Sequence, residues 1–167
     1  MLSDPDRVHQ LAQRAIDLLL LCDRHEPRPI ARVAAAVQAE LESIIVSAYI
    51  PDLRRTNVVL VVWAMHGCGP CNTYLPQFME RVEAHAAAGA PFRVWSPGQP
   101  IKPGEIPVLF YDAASKDDGL QDFADRLGVA ATPTTYMLTR TDTVKLEGAK
   151  SPDEIDRLLE SAQRANR

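Results

Sequence analysis

The stretch VVLVVWAMHGCGPC, residues 58–71, decides the fold of this chain. Its first half, Val58 to Ala64, is an unbroken apolar run rich in β-branched residues, which is typical of a buried parallel strand. The residues after the second cysteine repeat apolar side chains at helical spacing and predict a helix over Asn72–Glu83. The two cysteines therefore lie where a strand passes into the N-terminus of a helix.

This position predicts a chemistry for the pair. The first turn of a helix leaves backbone N–H groups unpaired, and the helix dipole favours an anion there. A thiolate is such an anion, so we expect Cys68 to be nucleophilic near neutral pH. With Cys71 three positions further on, the motif predicts reversible thiol–disulfide exchange.

Composition excludes several classes of protein. The chain has 167 residues, of which 46% are hydrophobic and 24% charged, the balance of an ordinary globular domain. A net charge of -4 gives no basic surface for nucleic acid. No apolar run approaches the ~18 residues of a membrane span, and the first residues are acidic where a secretory signal would be basic. We therefore expect a cytoplasmic protein with no membrane or nucleic-acid partner.

The remaining cysteine and the histidines give no second site. Three cysteines are too few for a disulfide scaffold, and Cys22 is interpreted as a small buried hydrophobe, with a regulatory thiol as the alternative. Zinc normally needs four protein ligands, and the chain has neither a second CxxC nor a histidine pair. We expect no bound metal or cofactor. A metal site shared between two copies through Cys68 and Cys71 is the alternative.

Residues 1–50 are predicted to form a helical extension distinct from residues 51–167. Apolar residues recur at helical spacing in the first segment and again over about Ile30 to Ser47, and Glu26-Pro27-Arg28-Pro29 separates the two. The simplest arrangement is a helical hairpin. Its apolar stripe needs a cover, either the following domain or a partner or second copy of the chain.

The rest of the chain alternates strands, loops and helices. Proline and glycine are frequent between Ser96 and Pro107 and predict an irregular loop. Ser151-Pro152-Asp153-Glu154 has the pattern of a helix start, with Ser151 as the N-cap. Strands are predicted at Phe92–Trp95, at Ile106–Tyr111, from Thr134 to Leu138 and at Val144–Leu146, and a short helix at Gly119–Leu127.

Taken in order, these pieces resemble a thioredoxin over roughly residues 57–162. The resemblance rests on Trp63-Ala64, the Cys68-Gly69-Pro70-Cys71 motif, Pro76 in the next helix, Thr132-Pro133-Thr134 opening a later strand, and Gly148 after the hairpin. It implies an α/β fold in which helices flank a mixed sheet, here with an N-terminal helical hairpin added.

The resemblance also implies roles for individual residues. Pro133 matches the family's cis proline, which faces the cysteines, and Thr132 would present its backbone to an extended substrate peptide. Cys68 would attack a substrate disulfide and Cys71 would resolve the mixed disulfide. The implied activity is thiol–disulfide oxidoreduction on a protein substrate, with a reductase or another dithiol recycling the pair.

Three departures from the family pattern leave an alternative open. His66 and Gly67 make the segment before Cys68 one residue longer than usual. The run Val58 to Ala64 lacks the acid that family members bury there, and the stretch 92–107 is either a flap bearing Trp95 or a decorated connection. The alternative is a thioredoxin-like interaction module, with little redox activity, that binds a partner through residues 1–50.

Overall fold

The computed structural model describes residues 49–51 and 55–167, which contain a five-stranded sheet and three helices. The predicted helical hairpin of residues 1–50 lies almost wholly outside the described residues. In chain order the elements are β1 (Val58–Ala64), α1 (Gly69–Ala87), β2 (Phe92–Val94), β3 (Ile106–Asp112), α2 (Asp118–Leu127), β4 (Thr134–Thr139), β5 (Thr143–Glu147) and α3 (Pro152–Ala165).

The sheet is mixed, with strand order β2-β3-β1-β4-β5. The central strand β1 runs parallel to β3, with Trp63 opposite Tyr111, and antiparallel to β4, with Trp63 opposite Thr134. The prediction of a parallel strand over Val58–Ala64 therefore holds on one side of β1 only. The strand is central, and the predicted mixed sheet flanked by helices is confirmed.

Both faces of β1 are buried, which explains why its sequence is apolar throughout. Val58, Leu60 and Val62 face a cluster built from α1 and α3. On the opposite face Trp63 contacts Phe123 of α2, with ring centroids 5.7 Å apart. Every residue from 58 to 63 has zero exposure, so β1 has no solvent face on which polar residues could alternate.

The helix after the cysteines is longer than the sequence pattern predicts. It begins at Gly69 and ends at Ala87, whereas apolar spacing indicated Asn72–Glu83. Pro70 is tolerated in the first turn because its missing N–H would be unpaired there in any case. Alanines, the best helix formers, extend the other end until Gly89 takes a positive φ of 92°.

The segment before β1 is attached to the fold through Tyr49. Its ring stacks on Phe123, and its backbone carbonyl accepts a hydrogen bond from the Tyr111 hydroxyl. Its own hydroxyl donates to Asp117, the N-cap of α2. Burial, with the Asp117 carboxylate nearby, raises the pKa of Tyr49 to about 12. Among the described residues, Tyr49 already belongs to the sheet domain, two residues before the predicted boundary.

The start of α3 is a capping box, as its sequence predicts. The Ser151 hydroxyl accepts from the Glu154 backbone N–H, and the Glu154 carboxylate accepts from the Ser151 backbone N–H at 2.9 Å. The Ser151 backbone N–H and hydroxyl hold the pKa of Glu154 below its ordinary value of 4.5. Glu154 therefore stabilises the fold above that value, and its contribution is lost as the pH falls through the lowered pKa.

We expect Ser151→Ala to lower the free energy of unfolding by about 1 kcal/mol at neutral pH, because an orphan N–H of α3 loses its acceptor. The deficit should shrink at a pH below the Glu154 pKa, where the carboxylate half of the box is protonated. Urea unfolding at the two pH values measures both effects. Ser151→Asp is the control and should stay near wild type, since Asp caps helices as well as Ser does. Equal stability of the Ala and Asp variants would contradict the assignment.

Candidate functional site

A tight turn connects β1 to the first cysteine. The Cys68 backbone N–H donates to the Met65 carbonyl at 3.2 Å, so residues 65–68 form a β-turn. Gly67 occupies its third position with a φ of 78°, a conformation that glycine adopts without steric cost. His66 lies at the exposed second position, two residues before Cys68.

Cys68 is the N-cap residue of α1. Its Sγ accepts a hydrogen bond from the Cys71 backbone N–H at 3.2 Å, so the sulfur stands where an N-cap oxygen normally stands. That N–H and the positive end of the helix dipole both favour negative charge on the sulfur. That Cys68 reacts as a thiolate stays a prediction, and the N-cap position supports it.

Cys71 lies behind Cys68 in the first turn of α1. The two Cα atoms are 5.2 Å apart and the sulfurs are joined as a disulfide. Cys68 is 9% exposed and Cys71 only 1%, so Cys68 is the more accessible of the two from solvent. This difference in access is what a nucleophile followed by a resolving thiol requires.

The loop before β4 brings Thr132 and Pro133 against the cysteines. The Cys68 Sγ lies 3.5 Å from the Thr132 carbonyl oxygen, and the Thr132–Pro133 peptide bond is cis. In the disulfide form Cys68 carries no proton, so this approach is a van der Waals contact, and only the reduced thiol could donate to that carbonyl. The structure thus places the four residues predicted from the sequence near one another, past the C-terminal end of β1 and just before β4. They are Cys68, Cys71, Thr132 and Pro133.

A buried hydrogen bond fixes the helix of the cysteines to the strand of the proline. The Tyr74 hydroxyl of α1 and the Thr135 hydroxyl of β4 are 2.8 Å apart, and both residues are almost fully buried. Burial raises the pKa of Tyr74, so the phenol stays protonated and the bond persists. Sequence reasoning missed this pair, because nothing local links residues 74 and 135.

The described residues contain no buried carboxylate. Apart from Tyr, Trp and Cys, their buried polar side chains are those of Thr56, Thr134 and Thr135. Val58–Ala64 contains no acid, and no other part of the described core supplies a buried carboxylate in its place. Trp63 is fully buried and packs beneath the site, so it does not reach a substrate surface.

A groove opens beside Cys71, on β1, β3 and α1. Its volume is about 360 Å³, and its floor is apolar, with Leu75 and Phe110 contributing. Apart from the cysteine, its titratable lining residues are His66, Tyr111 and Asp112. Cys71, although only 1% exposed, is one of the residues that line the groove. Sequence reasoning did not place Asp112 here, because its approach to Cys71 depends on the pairing of β3 with β1.

The proline-rich stretch does not cover this groove. Trp95 is buried, and its indole N–H donates to the Gln99 carbonyl within the same loop at 2.9 Å. Its backbone N–H donates to Val108 of β3. Of the two interpretations of residues 92–107, the structure supports a decorated connection with its own small core, and Trp95 does not line the groove beside Cys71.

The sheet order, the CxxC pair at the start of α1 and the cis Thr132–Pro133 bond facing it together define the architecture. The described residues have the thioredoxin fold. No family model and no curated protein matches the sequence.

Solved thioredoxins are similar to the chain. Mitochondrial thioredoxin 3 from Saccharomyces cerevisiae is 16% identical, over 65% of this chain and 82% of that chain, with a TM-score of 0.45. Oxidised thioredoxin from Plasmodium falciparum is 18% identical over 74% and 89%, with a TM-score of 0.44. Thioredoxin f from spinach chloroplast is 22% identical over 67% and 79%, with a TM-score of 0.42. Likenesses at this level assign no activity to the chain.

Two further observations bear on partners. Among the described residues no three or more His, Cys, Asp or Glu side chains come together as a group that could hold a metal ion. Within the same part of the chain, no helix has the length and apolar character needed to cross a membrane.

Proposed function

We propose that this protein is a thiol–disulfide oxidoreductase that acts on protein disulfides through Cys68 and Cys71. The observation that carries the proposal is the contrast between the two sulfurs. Cys68 stands at the helix N-cap, accepts the Cys71 backbone N–H, and is the more exposed of the two. Burial of Cys71 behind it supports a resolving role.

The reaction follows from this arrangement. The Cys68 thiolate attacks one sulfur of a substrate disulfide, a Cys68–substrate S–S bond forms, and the other substrate sulfur leaves as a thiolate. Cys71 then loses its proton and attacks Cys68 Sγ. The intramolecular S–S bond forms, the second substrate sulfur leaves, and the substrate has gained two electrons. The Gly69-Pro70 pair between the cysteines favours reductive flow, and a reductase or another dithiol returns the two electrons to the pair.

The substrate-binding part of the proposal concerns Thr132 and Pro133. An extended peptide would pair with the Thr132 backbone. Because Cys68 Sγ lies 3.5 Å from the Thr132 carbonyl oxygen, this pairing would place a substrate disulfide over Cys68. Residues 51–167 carry out this chemistry, and residues 1–50 form a separate helical extension. The protein acts in the cytoplasm. No bound cofactor takes part.

Reduction of insulin disulfides in the presence of dithiothreitol tests the activity. We expect the full chain to accelerate precipitation of the insulin B chain in proportion to its concentration. The matched control is the same protein reduced and then alkylated at its thiols, which should give the rate of dithiothreitol alone. A native chain no faster than that control would overturn the proposal and leave an interaction module as the better account.

A further inference from the structure

The resolving step needs a base that the core does not supply. Cys71 must lose its proton before it attacks Cys68, yet it is 1% exposed and no carboxylate is buried among the described residues. The groove beside Cys71 is therefore where that proton leaves. The acceptor should be one of the three titratable side chains that line the groove, namely His66, Tyr111 and Asp112.

Tyr111 is poorly suited to the task. Its hydroxyl already donates to the Tyr49 carbonyl. Burial raises the pKa of Tyr111 well above its ordinary value, so the phenol keeps its proton near neutral pH. It is therefore not suited to accept a proton from the Cys71 thiol.

Asp112 is also a weak candidate. One of its carboxylate oxygens accepts the Ala114 backbone N–H at 2.9 Å and holds the turn after β3. A carboxylate is moreover a weak base compared with a thiolate, and proton transfer is most efficient when donor and acceptor are closer in basicity. The contact that the structure shows for Asp112 is therefore with the backbone of the turn and not with the thiol.

His66 meets the requirement. It exists in this position because the segment before Cys68 is one residue longer than the family pattern, and the Met65–Cys68 turn carries it at its exposed second position. The turn is fixed by the positive φ of Gly67. An imidazole changes charge near neutral pH and can accept and return a proton in the range where thiol exchange operates.

We propose that His66 is the proton acceptor for Cys71 in the resolving step, a proposal that rests on the proposed function. The Cys71 S–H proton passes to a His66 ring nitrogen, and the new thiolate attacks Cys68 Sγ. The Cys68–Cys71 bond forms as the Cys68–substrate bond breaks, and its electron pair leaves on the substrate sulfur. The imidazolium then returns the proton to that departing thiolate.

Stopped-flow reaction with 5,5′-dithiobis(2-nitrobenzoate) separates the two steps. In a Cys22→Ser background, attack by Cys68 releases one thionitrobenzoate and resolution by Cys71 releases a second. With the reagent in excess, attack depends on its concentration and resolution does not. The Cys71→Ser variant releases one equivalent only and isolates the attack step. The full-length chain is used throughout.

We expect His66→Ala to leave the attack phase within about twofold and to slow the resolving phase about tenfold or more. Added imidazole should restore the resolving phase of this variant and leave that of the wild type unchanged. His66→Asn, which keeps a polar residue in the turn, should match His66→Ala.

Other outcomes overturn this inference without touching the proposed function. A resolving phase that is unchanged in His66→Ala, or slowed but not restored by imidazole, would exclude His66 as the acceptor. An Asp112→Asn variant that slows resolution as much, with His66→Ala unaffected, would give the role to Asp112. If the wild type itself forms no Cys68–Cys71 disulfide and releases no second equivalent, the proposed function fails as well.

Discussion

Cys68→Ser should abolish disulfide reduction, and Cys71→Ser should stop it at the mixed disulfide. A serine hydroxyl is not ionised near neutral pH, so the N-cap position of α1 would hold no nucleophile. Reduction of insulin should fall to the rate of dithiothreitol alone. In Cys71→Ser, Cys68 still attacks but nothing displaces the substrate from its sulfur.

The two variants have distinct signatures in mass spectrometry under non-reducing conditions. Cys71→Ser, incubated with a disulfide peptide, should gain the mass of one peptide thiol, and Cys68→Ser should gain none. Cys22→Ser is the matched control and should keep wild-type activity, because that thiol takes no part in the proposed cycle. Retained activity in Cys68→Ser, or an adduct on Cys71 in that variant, would reverse the assignment of nucleophile and resolving thiol.

Phe78→Ala should be the most destabilising of the substitutions considered for the sheet domain. Phe78 has no exposed surface and lies on α1 against the sheet, 5.7 Å from the Tyr74 ring centroid and 6.1 Å from that of Phe110. Truncation removes most of a buried aromatic side chain and leaves a cavity that a rigid helix-on-sheet interface cannot close. The expected loss is about 3–5 kcal/mol in the free energy of unfolding.

Urea unfolding followed by circular dichroism measures this loss. The midpoint should fall while the slope of the transition stays near that of the wild type, which indicates a change in stability alone. Phe78→Leu is the matched control, since it keeps most of the volume and should cost less than about 1.5 kcal/mol. A Phe78→Ala protein less than about 1 kcal/mol below wild type would contradict the packing described for this face of β1.

Local sequence patterns predicted most of the elements, because local physics determines them. The apolar run of β1, the end of α2 at Leu127 and the Ser151 capping box each satisfy backbone or burial requirements within a few residues. The ends of α1 were predicted less well. Its first turn contains Gly69 and Pro70, which a search for apolar spacing passes over although both are compatible with a helix start.

What depends on distant residues could not be derived from local patterns. The position of Pro133 facing the cysteines was implied by the thioredoxin resemblance and not by periodicity. The antiparallel pairing of β1 with β4, which sets Thr132 against Cys68, was not predicted. The Tyr74–Thr135 bond and the docking of Tyr49 on Phe123 join residues more than sixty positions apart. Asp112 reaches the Cys71 groove for the same reason, through the register of β3 against β1.

The central claim is that Cys68 and Cys71 form a redox couple. The most direct test equilibrates the full chain in glutathione buffers of graded ratio, traps free thiols by alkylation, and counts the modified cysteines by mass. We expect a single reversible two-electron transition in which Cys68 and Cys71 become protected from alkylation together, while Cys22 does not follow it. If those two cysteines remain free thiols at every ratio, the protein is not a thiol–disulfide oxidoreductase and its thioredoxin fold serves another purpose.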